Sequence, residues 1–494
     1  MSFLGEIKRR KVFQVAAVYA VTAWLIIQII DVVGEPLNLP DWLDTVVIVL
    51  LAVGFPIALI CAWAFELTSD GVVRDRGMTA AAQVAAPESG ADEPGLELPD
   101  KPSIAVLPFT NMSGDPQQEY FSDGITEDII TELSRFQGLF VIARNSTFTY
   151  KDSPAKVQQV ADDLGVRYIL EGSVQKAGDT VRITAQLIDG ATGGHIWSER
   201  YDRKLTDVFA VRDEVTRTIA VTMMSDTGKL TRAEVERASL KDTESLEAYE
   251  LLLQGLNAWL RFTRDTNAEG VRLCEQAIAV DPEYARAYAL LAFARLNEFR
   301  WSWSDDPEKS LELAHEVAQK AVTLGDSDEW CHWALGSTHL YRGEHDQAVA
   351  AYDKAVDINP NYADLLAHSA ELMVAIGKSD EAIDRLRTAM RLNPHHPDWY
   401  LWSLGEAQYY AGQYDEALAS MLKITQTSNA GLTILASVYV RLGRVDEARA
   451  LVTKFQTNNP DFSLAHFKQS RDGKFKQRAD LDRMIDDLRV AGMR

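Results

Sequence analysis

Three cysteines in 494 residues are too few to build a disulfide framework, and Cys61, Cys274 and Cys331 lie too far apart for a zinc site. Positive charge is also short. Fifty Lys and Arg against 72 Asp and Glu leave a formal net charge of −22, and a phosphate backbone needs a basic stripe, so nucleic acid is excluded as a partner. Catalytic constellations are missing as well, with no Ser/His/Asp or Cys/His set to be found. Gly377-Lys378-Ser379 ends like a phosphate loop, yet Leu372 takes the place of its first glycine and no strand precedes it. His395-His396 has no third ligand near it, and the turn Gly190 to Gly194 lacks the strand-to-helix setting of a phosphate cradle. Asp123, Glu127, Asp128 and Glu132 read as the solvated face of a helix whose other face carries Ile125, Ile129, Ile130 and Leu133. No catalytic residue, cofactor or metal is expected.

What is present begins with two apolar runs, Val12 to Ile30 and Thr45 to Phe65. Each is long enough to cross a hydrocarbon core of about 30 Å as a helix. Trp24, Trp42 and Trp63 include indoles near the expected interfaces, and Pro56 would kink the second helix. A secretory signal is the rival reading, but a second run follows at once and no small-residue cleavage site separates them. Lys8-Arg9-Arg10-Lys11 precedes the first run, no Lys or Arg lies between the runs, and Arg74 and Arg76 follow. That asymmetry predicts a bilayer partner, a multi-pass anchor in residues 1–77 and a cytoplasmic placement for both ends. Residues 78–100, rich in Ala, Pro, Glu and Gly, read as a flexible linker.

Residues 101–230 change character. Buried strands are expected at Ile104 to Phe109 and Leu139 to Ala143, and helices at Tyr120 to Phe136, with Ser122 as N-cap, and at Val157 to Leu164. Three strands follow, Tyr168 to Gln175, Thr180 to Ile188 and His195 to Tyr201, and a helix over Asp207 to Met223 closes the unit. The order predicts a small mixed α/β domain with helices on one face of the sheet. Lys101-Pro-Ser-Ile-Ala-Val-Leu-Pro-Phe109, the stretch Glu119 to Leu133, Tyr168 to Val174 and Ala185 to Asp189 resemble the TolB amino-terminal-like domain. Relatives of that family set the module behind a nucleotide-cyclase or a winged-helix domain. In this chain the two apolar runs stand there instead, and the resemblance implies no chemistry for these residues.

From residue 243 to 463 a helical repeat dominates. Gly343-Glu-His-Asp-Gln-Ala348 recurs as Gly377 to Ala382, Gly412 to Ala417 and Gly443 to Ala448, with glycines 34, 35 and 31 residues apart. Glycine ends one helix in the left-handed conformation, aspartate caps the next, and alanine lets the pair approach. With Leu335-Gly336, Leu404-Gly405, Tyr352, Ala355, Pro360, Ala389 and Pro394 in register, the stretch resembles the tetratricopeptide repeat. About six repeats are expected, irregular near Asn429 where a closing proline is missing, and a helix in residues 464–494 is expected to cap the array.

The whole therefore reads as multidomain: two N-terminal transmembrane helices, a TolB-like mixed α/β domain and an all-α tetratricopeptide superhelix. The resemblance implies that the inner face of the superhelix carries Trp333, Ser337, Glu371, Trp399, Trp402, Glu406 and Tyr409, a set suited to a peptide with apolar and basic side chains. Tryptophans packed as inter-repeat core are the competing reading, and Trp301 and Trp303 form a second, weaker candidate. The expected function is an inner-membrane scaffold that binds protein or peptide partners without catalysis. Alternatives are a periplasmic envelope-assembly factor and a regulatory component of a nucleotide-cyclase signalling system.

Overall fold

The computed structural model describes residues 51, 55, 65–68 and 71–74, and from residue 96 onward all but 97, 152, 154, 225–242, 244, 426–428, 459–462 and 470. The two apolar runs lie outside the described residues, apart from 51, 55 and 65. Among the described residues no helix is long and apolar enough to cross a membrane. The chain divides into two compact units, Met1–Asp92 and Glu93–Arg494. In the first, β1 (Phe65–Thr68) and β2 (Gly71–Arg74) pair as an antiparallel hairpin.

The second unit opens with a six-stranded sheet. Its strands are β3 (Ser103–Val106), β4 (Thr110–Asn111), β5 (Phe140–Val141), β6 (Tyr168–Ala177), β7 (Thr180–Asp189) and β8 (His195–Lys204). The main order is β5-β3-β6-β7-β8, with β4 extending the pairing along β6. β3 runs parallel to β5 and β6, while β6, β7 and β8 form an antiparallel meander. The helices are α1 (Glu119–Ser134), α2 (Arg144–Phe148), α3 (Val157–Leu164) and α4 (Val208–Met224).

They do not share one face of the sheet, as the sequence suggests. Alternation along β3 sends Ile104 and Val106 into a core with α1 and α4, and sends Ala105 the other way to meet Val160, Ala161 and Leu164 of α3. Nor does Ser122 cap α1. A 3-10 turn over Pro116–Gln118 leads into Glu119, so Ser122 falls inside the helix and is buried. The wet face of β7 is present, with Val181, Ile183, Ala185 and Leu187 buried between more exposed Arg182, Thr184 and Gln186.

Six helical hairpins follow: α5 (Leu246–Leu260) with α6 (Arg264–Val280), α7 (Ala285–Arg300) with α8 (Pro307–Leu324), α9 (Glu329–Tyr341) with α10 (His345–Ile358), α11 (Ala363–Ala375) with α12 (Ser379–Leu392), α13 (Asp398–Tyr410) with α14 (Tyr414–Met421), and α15 (Asn429–Arg441) with α16 (Val445–Asn458). The recurring glycines adopt φ values of +76°, +81°, +77° and +75°. At each, the glycine N–H reaches back three residues and the next N–H reaches back five, as in Gly343 to Leu340 and Glu344 to His339. This Schellman closure satisfies carbonyls that the ending helix leaves open. Ala348, Ala382, Ala417 and Ala448 are fully buried.

The aspartates act differently from expectation. Asp346, Asp380 and Asp415 sit in the first turn, the caps are Glu344, Lys378 and Gln413, and no side-chain cap bond forms. Their charge favours the helix start through the dipole alone. Near Asn429 the array is irregular, since α14 has 8 residues against 14 in α10, α12 and α16.

Two further helices, α17 (Leu464–Gln469) and α18 (Arg478–Val490), end the chain. They do more than cover the last repeat. α18 packs on α15, its Asp487 accepting from Tyr409 at 2.5 Å and from Arg441 at 2.7 Å, while Lys476 N–H donates to Ala375 O two repeats upstream at 2.8 Å.

Candidate functional site

Asp123, Glu127, Asp128 and Glu132 of α1 are not a solvated face. Asp128 and Glu132 belong to the junction between the sheet domain and the repeats, while Asp123 and Glu127 pair with cations of the sheet domain itself. Glu132 and Asp128 are 1% and 6% exposed. Arg135, one turn on from Glu132, pairs with it at 2.8 Å and reaches across to Glu329 at 2.8 Å and Asp328 at 3.8 Å. Arg286 of α7 holds Asp328 at 2.8 Å. Asp128 takes Arg212 of α4 at 3.3 Å and the Tyr249 hydroxyl of α5 at 2.7 Å. Glu127 pairs with Arg144 at 2.8 Å, and burial still lifts its carboxyl to about 7. Asp123 and Glu119 share Lys151.

The array meets this domain along the turns that join one repeat to the next. Asn361 donates to Ser134 O and Phe136 O, Asn393 meets the Ser146 hydroxyl, and Arg391 donates to Gly165 O at the end of α3. A cation on helix-terminal carbonyls suits the dipole. His395, read as a surface residue, is exposed and lies 3.2 Å from the Tyr150 hydroxyl at the edge of this junction. Gly124 of α1 lets Leu253 of α5 pack where a Cβ would be.

The inner face of the array divides the seven expected residues. Trp333, Ser337 and Glu371 line one hollow; Glu371, Trp402 and Glu406 line a second of about 600 Å³, counting solvent at its mouth. Trp399 and Tyr409 line neither. Trp333, Ser337 and Tyr409 are buried. Trp333 is wedged against Phe293 at 4.7 Å and His368 at 5.2 Å, the Ser337 hydroxyl shares a hydrogen bond with Tyr352, and Tyr409 is bonded to Asp487. Trp399 stacks on the other side of His368 at 4.5 Å. Enclosed between two indoles, that imidazole is pushed down to about 4 by burial. Glu371, Trp399, Trp402 and Glu406 keep partial exposure.

The sequence reading missed the cations in the second hollow, Arg300, Arg471 and Lys474. Glu371 accepts from Lys474 at 2.8 Å, from the Tyr341 hydroxyl at 2.7 Å and from Arg300 at 3.5 Å. Burial opposes its charge, but Lys474 and Arg300 hold the carboxyl well below its usual range. Burial also lowers the Arg471 guanidinium. Trp301 lines this hollow too. It packs with Trp303 and Phe262, with Phe262 and Ser302 at φ +53° and +52°. No signal in residues 471–476 marks them as filling an interior, since only Phe475 there is apolar.

Among the described residues, metal-type donors gather at His315, His339 and Glu344, within 4.8 Å of one another. His315 already bonds Thr338 and Gln319, His339 bonds Glu344, and Arg342 donates to the same carboxylate at 3.0 Å. With its carboxylate so neutralised, the cluster acts as a brace over the α9–α10 turn.

Comparison with known proteins agrees on the repeats. A tetratricopeptide-repeat family model matches residues 339–401, and a model for the second domain of HilA/YgeH-like transcriptional regulators matches residues 100–217. A Rhizobium meliloti protein named "Putative adenylate cyclase 3" is 47% identical over 265 residues, 54% of this chain and 45% of its own length. The chain thus spans less than half of that relative. A small glutamine-rich tetratricopeptide repeat-containing protein of Mycosarcoma maydis is 31% identical over 90 residues, 18% of this chain and 25% of its own length. Among solved structures, a thermophilic tetratricopeptide-repeat protein of Thermus thermophilus covers 40% of this chain and 98% of its own at 21% identity and TM-score 0.32. The chain carries tetratricopeptide repeats, with a small mixed-sheet domain ahead of them.

Proposed function

We propose that this chain is a non-catalytic scaffold that holds a protein or peptide partner on the inner face of its repeats, anchored to the bacterial inner membrane through residues 1–77 and a linker at 78–100. The observation that carries the reading is the second hollow, where partly exposed Trp402, Glu406 and Glu371 stand together on the first helices of successive hairpins. Aromatic rings flanked by carboxylates favour a ligand with apolar and basic side chains. The Lys8 to Lys11 run and the Lys- and Arg-free stretch between the two apolar runs support a cytoplasmic placement of the domains. The TolB resemblance of residues 101–230 adds no chemistry to this reading.

Co-purification from detergent-solubilised membranes tests it. Wild type should retain a partner that Glu406→Lys loses while thermal melting stays unchanged. If Trp402→Ala and Glu406→Lys keep the partner and merely melt earlier, the groove assignment fails. Alkaline phosphatase and a fluorescent protein fused after residue 100 report the side of the membrane, and phosphatase activity with a dark fluorophore would favour the periplasmic envelope-assembly reading instead.

A second reading has one specific support, the cyclase name carried by the Rhizobium meliloti relative. In it the chain regulates a nucleotide-cyclase system. Purified chain that turns over a nucleotide at an enzymatic rate, with loss on changing a single residue, would overturn the non-catalytic proposal.

A further inference from the structure

The inner face of the repeats is already occupied by the chain itself. Between α17 and α18, residues 471–477 run as turn and irregular backbone. Lys474, 5% exposed, places its ammonium on Glu371 at 2.8 Å. Phe475, 4% exposed, sets its ring against Tyr410 at 5.4 Å. The Lys476 ammonium reaches Asp346 at 3.2 Å. The backbone is gripped as well: Lys474 O meets His345 Nε2 at 2.9 Å, and Lys476 N–H donates to Ala375 O at 2.8 Å. Every one of these partners lies on the array, on α11, at the end of α13 or at the start of α10.

This is how a repeat array holds a peptide, with side chains in a groove and main-chain atoms on its rim. Two features make the hold exchangeable. Phe475 is the sole apolar side chain in residues 470–477, so little apolar burial fixes the segment. The helices on either side have anchors of their own, α17 through buried Phe467 and α18 through Asp487 and buried Leu481 and Leu488, so the segment between them is free to leave without unfolding either. The groove also keeps one donor unused. Trp301 lines the hollow, and its buried indole N–H has no acceptor among the described residues. A longer peptide would bring a carbonyl for it.

We propose that Arg471–Lys476 is an internal ligand of the repeat groove, and that the partner which displaces it is a peptide of the same chemistry, an aromatic residue between two basic ones. The inference rests on the scaffold reading above and names the partner class for that site. The −22 net charge agrees with a basic partner.

The test uses the full chain and a fluorescent peptide copying residues 471–477, read by anisotropy. Lys474→Ala/Phe475→Ala, which removes the two buried side chains of the segment and leaves the repeat helices unchanged, should bind the peptide at least 10-fold more tightly than wild type. Adding Glu371→Gln should remove that gain, and a peptide with glutamates for its lysines should not bind. Equal affinity for wild type and a folded double variant overturns the proposal. Should the double variant unfold, hydrogen exchange on wild type decides: saturating peptide should speed exchange at the Lys476 amide, and unchanged exchange refutes displacement. If the peptide fails both ways while a partner still co-purifies in a Glu406-dependent manner, the internal ligand falls and the scaffold reading stands.

Discussion

Replacing Arg135 with methionine tests whether the sheet domain and the repeats form one cooperative body. Its guanidinium is 2% exposed and serves Glu132, Glu329 and Asp328, of which the first two have side chains 1% and 0% exposed. Methionine keeps the volume and deletes the charge, leaving two enclosed carboxylates without their common cation. Breaking a buried pair from one side costs about 3–5 kcal/mol, because the charge left behind has lost both water and partner. Since Arg135 bonds Glu132 and Glu329 at once, the upper part of that range is expected. Asp328 keeps Arg286 at 2.8 Å and should lose little. Urea unfolding followed by circular dichroism and tryptophan fluorescence measures the change. Wild type should unfold in one transition, and the variant should separate into two as the junction fails before either domain. Removing Glu132 and Glu329 together with Arg135, all to methionine, should cost far less than Arg135→Met alone, because no bare charge remains. A loss below about 1 kcal/mol, or a triple variant weaker than the single one, would show that the network is too well hydrated for this reasoning.

Other outcomes follow from the same geometry. Gly124→Ala drives a Cβ into the side chain of buried Leu253, so overpacking should destabilise by about 1–3 kcal/mol, and Leu253→Ala should restore most of the loss in a double-variant unfolding series. Gly412→Ala meets no atom within 4 Å but keeps φ at +77°, so it should cost about 1–2 kcal/mol, and Gly412→Asn should cost less; equal losses would mean that the left-handed closure is not what matters there. His368, held at about 4 against its ordinary 6.5, resists protonation in the folded chain. Its contribution is therefore complete above pH 6.5 and is lost as pH falls from 6.5 towards 4, by up to about 3 kcal/mol. His368→Gln should flatten stability over that window, and an unchanged pH profile would assign the acid sensitivity elsewhere.

The repeats were legible from the sequence because their rules are local. Glycine at a left-handed helix end and alanine between close helices act within one hairpin, and every copy repeats the same demand, so Gly343, Gly377, Gly412 and Gly443 all take positive φ. The longer strands and helices of the sheet domain could be read for the same reason, whereas the two-residue β4 and the five-residue α2 were not foreseen. What lies between elements was hidden. Asp128 and Glu132 show in sequence only that one helix face is polar. That the face is buried depends on Arg212, Tyr249, Arg286 and Glu329, groups contributed by four other helices far along the chain. The groove shows the same limit. Helical spacing could place Glu371, Trp402 and Glu406 on the first helices of their repeats, but Trp333 and Tyr409 went into the core because neighbouring aromatic rings and Asp487 close over them. A charged, glycine-containing stretch such as Arg471 to Lys476 carries no apolar period, so only the folded chain shows that Lys474 and Phe475 are buried against the repeats. Short-range geometry is written in each repeat, whereas the pairing of charge with charge across the molecule is decided by which surfaces the fold brings together.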